Sequence, residues 1–150
     1  MQVLLKEFLL YGRFAQLKAA MQAQEIEALF GPAEYVMLDE NGMPEEMHYQ
    51  SLRLFFKAAQ LASISLHSMY RVGSLYNVFY LPDRLSIKPN LNYNNMSMAE
   101  IREFLEQADI GYRFERQSED GAEIWRTEAG VRIMFGETED YIDSFFYALQ

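Results

Sequence analysis

The sequence predicts an α+β fold: two tandem repeats of a helical hairpin packed on a four-stranded antiparallel sheet, with an inserted strand pair between them. Three observations predict it. Amphipathic helical stripes open each half, alternating strand-like runs follow, and helix stripe, strand phase and turn position recur together. With 150 residues, half of them hydrophobic, the chain is long enough to bury about 70% of the surface it exposes when unfolded.

At the N-terminus, Val3, Leu4, Phe8 and Tyr11 recur at helical spacing. A second helical stretch after Gly12 runs through Phe14, Leu17, Lys18 and Met21, and a third carries the stripe Ile26, Leu29, Phe30. Gly31 supplies a left-handed terminus there, and Pro32 forbids continuation. Strands are expected at Tyr35 to Leu38 and Glu46 to Tyr49, around the Asn41-Gly42 turn. In SLRLFF, Leu52, Leu54 and Phe56 share a face opposite Arg53 and Lys57. LASISLHS alternates in the same way and completes a hairpin with one wet face.

The second half repeats this order. Ser97 and Glu100 have capping-box spacing, and Ile101, Phe104 and Leu105 form the helix stripe. Strands are expected at Tyr112 to Glu115 and Glu123 to Thr127, around Asp120-Gly121. VRIMF then matches LRLFF, and IDSFFYAL matches LASISLHS. The expected organisation is a first module with its N-terminal helix at 1–66, an insertion at 67–94 and a second module at 95–150. In the insertion, Leu75 to Leu81 and Leu85 to Lys88 read as strands, and an Asn-rich linker follows.

A helical hairpin ending in Gly-Pro, followed by a four-strand meander and repeated, resembles the fold of the secreted β-lactamase inhibitor proteins. One such unit also resembles the small lipoprotein of the outer-membrane barrel-assembly machinery. The resemblance spans Gly12 to Leu66 and Asn95 to Leu149. It rests on element order and on LKAAMQAQEIEALFGPAE. It implies a sheet-on-helix scaffold used for protein contacts. No enzyme-contacting residue of those inhibitors has a match in this sequence, and the chain has none of their cysteines.

Composition narrows the chemistry. The absence of cysteine excludes disulfides, thiolate metal sites and a cysteine nucleophile. Only His48 and His67 are available as imidazoles. His48 shares the polar phase of its strand with Glu46, which reads as a solvated face rather than a metal site. His67 has no acid within six residues on either side. No catalytic or phosphate-loop motif is present, so no cofactor, no metal and no enzyme activity are expected. A net charge of −9 opposes sequence-nonspecific nucleic-acid binding. Lys6 and Glu7 interrupt the first apolar run, so the expectation is a cytoplasmic protein without a membrane partner.

Charge is uneven: the first 75 residues carry a net −2 and the last 75 a net −7. Glu119, Asp120, Glu137, Glu139 and Asp140 concentrate this excess in two expected turns. Trp125, Tyr76 and Tyr80 are the candidate aromatic anchors beside them. The functional expectation is a non-catalytic protein-binding module: a bacterial inhibitor or immunity protein that neutralises a basic partner such as a toxin nuclease. The alternative is a small-ligand-binding or sensing domain with a pocket lined by Tyr76, Tyr80 and Trp125.

Overall fold

The computed structural model describes residues 1–70, 72, 77–91, 95–117, 122–136 and 141–150. The chain opens with a short strand, β1 (Gln2–Leu4), and enters helix α1 (Leu5–Tyr11). The buried stripe of α1 is Leu5, Phe8 and Leu9, whereas Leu4 and Tyr11 are exposed. Gly12 ends this helix in the left-handed conformation at φ 69°, its N–H donating to the Phe8 carbonyl at 2.8 Å. A Cβ at Gly12 would collide with the buried Tyr147 ring.

The helix expected after Gly12 does not form. Phe14 and Leu17 are buried as anticipated, but Ala15 and Ala20 adopt positive φ. The backbone here bonds to a strand edge instead. Ala20 N–H donates to the Leu61 carbonyl at 2.9 Å, and Leu61 N–H donates to the Met21 carbonyl at 2.8 Å. Helix α2 (Ala23–Phe30) then buries Ile26 and Phe30 and stops at Gly31. Among the described residues, the second half has a single helix, α3 (Met98–Gln107), which buries Ile101 and Leu105. Neither half therefore carries the predicted helical hairpin. Both of these helices start with a reciprocal cap. Glu25 accepts from the Gln22 N–H at 2.7 Å, and Ser97 and Glu100 exchange bonds of 3.1 Å each.

Four antiparallel strands follow α2: β2 (Tyr35–Leu38), β3 (Pro44–Tyr49), β4 (Leu52–Lys57) and β5 (Gln60–His67). After the insertion and α3 come β7 (Tyr112–Gln117), β8 (Glu123–Thr127), β9 (Arg132–Phe135) and β10 (Ile142–Ala148). These are not two separate four-stranded sheets. They form one eight-stranded sheet in the order β2-β3-β4-β5-β10-β9-β8-β7. The last strand of each meander would otherwise leave an open edge, and pairing β5 with β10 satisfies both edges at once.

The register makes the two halves equivalent. Arg53 pairs with Ser65 as Arg132 pairs with Phe146, and Leu54 pairs with Ile64 as Ile133 pairs with Phe145. Met47 opposes Leu54 as Trp125 opposes Ile133, and Val36 opposes Met47 as Phe114 opposes Trp125. Across the junction, Ile64 pairs with Tyr147, Leu66 with Phe145 and Ser65 with Phe146. Each residue thus meets the counterpart of its neighbour, which is the pattern of an isologous two-fold contact with its axis between Ser65 and Phe146.

The predicted inserted strand pair is corrected. Among the described residues of the insertion, only β6 (Ser86–Lys88) forms a strand, and it pairs in parallel with β1 in a separate two-stranded sheet. Within the described part of the other run, Val78 makes an isolated bridge to Met69. All three helices pack on one face of the large sheet. Phe8 meets the Phe145 and Tyr147 rings at 6.2 Å each, Phe30 meets Tyr49 at 5.6 Å, and Arg102 lies 5.4 Å from the Trp125 ring. One apolar cluster runs through both halves, and each large side chain buried in it contributes about 1.5–3 kcal/mol. Among the described residues, no helix is long and apolar enough to cross a membrane.

Candidate functional site

Strand alternation places every second side chain on the face away from the helices. The register aligns one such residue from each of the eight strands. Tyr35 opposes His48, His48 opposes Arg53, and Arg53 opposes Ser65. The line crosses the axis to Phe146 and continues through Arg132, Arg126 and Arg113. At ~4.8 Å per strand, this row is about 34 Å long.

Its charge is opposite to that of the chain. Arg53, Arg113, Arg126 and Arg132 stand in it with His48, on a protein of net charge −9. Glu115, two residues on from Arg113 in β7, lies on the same face. Glu115 accepts two bonds from Arg132, at 2.9 and 3.2 Å, and lies 3.7 Å from Arg126. The two guanidinium side chains remain about two-fifths exposed. At the far end of the row, Arg113 and Arg126 line a groove of about 420 Å³ with Gly111, Tyr112, Thr127 and Glu128.

At the other side of the axis, both histidines flank Arg53. His48 Nε2 is 2.8 Å from Glu46 Oε2, and its ring lies 5.2 Å from that of Tyr35. His67 Nε2 is 2.7 Å from Ser65 Oγ. Burial chiefly, and then the Arg53 charge, lowers the His67 pKa from its ordinary value. Asp143 raises it and His48 lowers it by smaller amounts. The acid missing from the local sequence around His67 thus comes from β10. The Ser65–His67 contact has the spacing of a nucleophile and its base, but its bonding differs. Ser65 is 3% exposed and its hydroxyl donates to the Phe145 carbonyl at 3.1 Å. The Phe145 carbonyl therefore competes with the His67 ring for the single hydroxyl proton.

The predicted anchors fare unequally. Trp125 is no surface anchor: it is 3% exposed, stacked on Tyr112 at 5.1 Å and set against Phe135 at 4.7 Å. Its indole N–H donates to Glu123 at 2.9 Å. Tyr80 is half-buried, its backbone tied to Ser51 near the β3–β4 turn. The predicted pocket-lining pair Tyr80 and Trp125 therefore have different neighbours. Tyr76 and the five acids Glu119, Asp120, Glu137, Glu139 and Asp140 lie outside the described residues. The strand residues flanking the two acidic segments, Gln117, Glu123, Phe135 and Ile142, share one end of the sheet. Among the described residues, no three of His, Asp and Glu are grouped to hold a metal ion.

No protein-family model, no curated protein and no solved structure matches the chain. None of these comparisons supports the resemblance to β-lactamase inhibitor proteins, and only residues 23–30 of its motif are helical.

Proposed function

We propose that this chain is a non-catalytic protein-binding module whose recognition surface is the helix-free face of the sheet. Its partner presents carboxylates to that face. The observation that carries the reading is the eight-residue row, in which four arginines and two aromatic rings are held in register by strand pairing. Arginine and tyrosine are the residue types that most often dominate binding energy, and a sheet holds them at low entropic cost. The charge of the face is complementary to an acidic segment.

The test is a photo-crosslinking residue at Phe146 on the face, with Ala28 on the exposed side of α2 as the control position. Cross-links to one partner from position 146, weakened about tenfold or more by Arg113→Glu with Arg126→Glu, are the expected result. Cross-links from position 28 alone would overturn the reading.

A second reading keeps the expectation of a basic partner, such as a toxin nuclease neutralised by an inhibitor or immunity protein. Its support is the net −7 of the last 75 residues, together with the shared sheet end that flanks both acidic segments. Charge reversal at Glu119, Asp120, Glu137, Glu139 and Asp140 separates the two readings. Loss of the partner there, with the arginine variants silent, favours the basic partner.

A further inference from the structure

We infer that Arg53, flanked by His48 and His67, forms a carboxylate-binding anchor at the centre of the helix-free face. The inference rests on the proposed recognition surface and assigns the group that the surface grips first.

Arg53 differs from the other arginines of the row. Arg132 and Arg126 are engaged by Glu115. The Arg53 side chain makes no ion pair or hydrogen bond among the described residues, and its Nε–H is buried without an acceptor. A buried N–H left unpaired costs about 1–3 kcal/mol, so this guanidinium is unsatisfied within the protein, and an incoming carboxylate pairs with it at the terminal nitrogens in a charge-assisted bond. Both histidines stand close to the Arg53 guanidinium in the sheet register. His48 stands directly opposite Arg53 on β3 and Ser65 directly opposite on β5, and His67 is one diagonal step away. No carboxylate of the row is committed to Arg53: Glu46 is engaged by His48 and Glu115 by Arg132.

A bound carboxylate offsets the repulsion that Arg53 exerts on His67 and so raises the His67 pKa. By linkage, affinity rises as pH falls. The charges facing the two imidazoles are Arg53, Asp143 and the other histidine for His67, and Glu46 and Arg53 for His48.

The probes are two peptides at constant ionic strength. N-acetyl-hexaglutamate amide carries side-chain carboxylates only, and N-acetyl-hexaalanine acid carries only a terminal one. Binding to the full chain is followed by NMR of the histidine rings and of the Arg53 Nε–H. The expected result is binding of at least one peptide, with perturbed His48 and His67 rings and a sharpened Arg53 Nε–H signal. Binding is also expected to be about threefold or more tighter at pH 6 than at pH 8. Arg53→Gln weakens it about tenfold, Arg53→Lys restores part of it, and Lys6→Gln on α1, with the same loss of charge, leaves it unchanged. The peptide that binds identifies the carboxylate source. Failure of both peptides, or equal binding by Arg53→Gln, overturns the anchor. If cross-linking from position 146 persists in that event, the recognition face stands without the anchor. If a peptide binds at Arg53 while cross-links come only from position 28, the anchor stands without the face.

Discussion

Gly12→Ala is the substitution whose effect the structure prescribes most directly, because two independent penalties meet at one Cβ. The first is conformational. Gly12 sits at φ 69°, and an L-residue in that region costs about 1–2 kcal/mol. The second is steric. The added methyl would enter the Tyr147 ring, which is buried and packed edge-on against Phe8 at 6.2 Å. Overpacking of this kind costs about 1–3 kcal/mol, because the ring can retreat only into the core. The expected destabilisation is therefore about 2–5 kcal/mol. Urea unfolding measures it as a shift of the midpoint at constant slope. A double-mutant cycle with Tyr147→Ala separates the two parts: with the ring removed, Gly12→Ala retains only about 1–2 kcal/mol. A loss below about 0.5 kcal/mol in the parent protein, or an equal loss with and without the ring, would refute the reasoning.

Three further outcomes are expected. Ala58 and Ala59 join β4 to β5 with φ of 51° and 62°, where a two-residue hairpin favours Asn-Gly, so Ala58→Asn with Ala59→Gly raises the melting temperature by about 2–4 °C. Ser97→Ala removes the side-chain acceptor of the Glu100 N–H at the start of α3 and lowers stability by about 1 kcal/mol in chemical denaturation. Tyr49 is pushed up to about 12 by burial and then by Glu27, and its hydroxyl donates to the Gly31 carbonyl at 2.7 Å. Its raised pKa means stability is intact below pH 10 and falls between pH 10 and 12, where the unfolded phenol ionises first. In a pH series of unfolding midpoints, Tyr49→Phe flattens that fall.

Strand positions were legible because alternation has a period of two and each meander has one wet face. LRLFF and VRIMF announced β4 and β9 with the right residues inward, as Leu52, Leu54 and Phe56 and then Ile133 and Phe135 show. Trp125 was not legible, since its neighbour Ile124 is also apolar and the pattern does not say which of two apolar phases faces the helices. The turn region after Gly12 escaped for a different reason. Phe14, Leu17 and Met21 have helical spacing, yet the backbone finds its partner in Leu61, a tertiary bond that periodicity cannot see. The arginine row was hidden as well. Arg53 and Arg132 were visible as counterparts, but their alignment with Arg126 and Arg113 depends on cross-strand register, which turn lengths and the β7 bulge decide. The pairing of β5 with β10, which unites the row, lies between residues 80 positions apart at the Ser65–Phe145 bond.

Ser65 facing Phe146 has a meaning for how such a chain arises. In an assembly of two identical subunits, whatever lies on the dyad must tolerate its own image: serine beside serine, or phenyl beside phenyl. Joining the halves into one polypeptide lifts that restriction. A large ring on one side can lean over a small hydroxyl on the other, and histidines can accumulate on one wing while arginines accumulate on the other. Covalent fusion thus turns a symmetric platform into one with a left and a right.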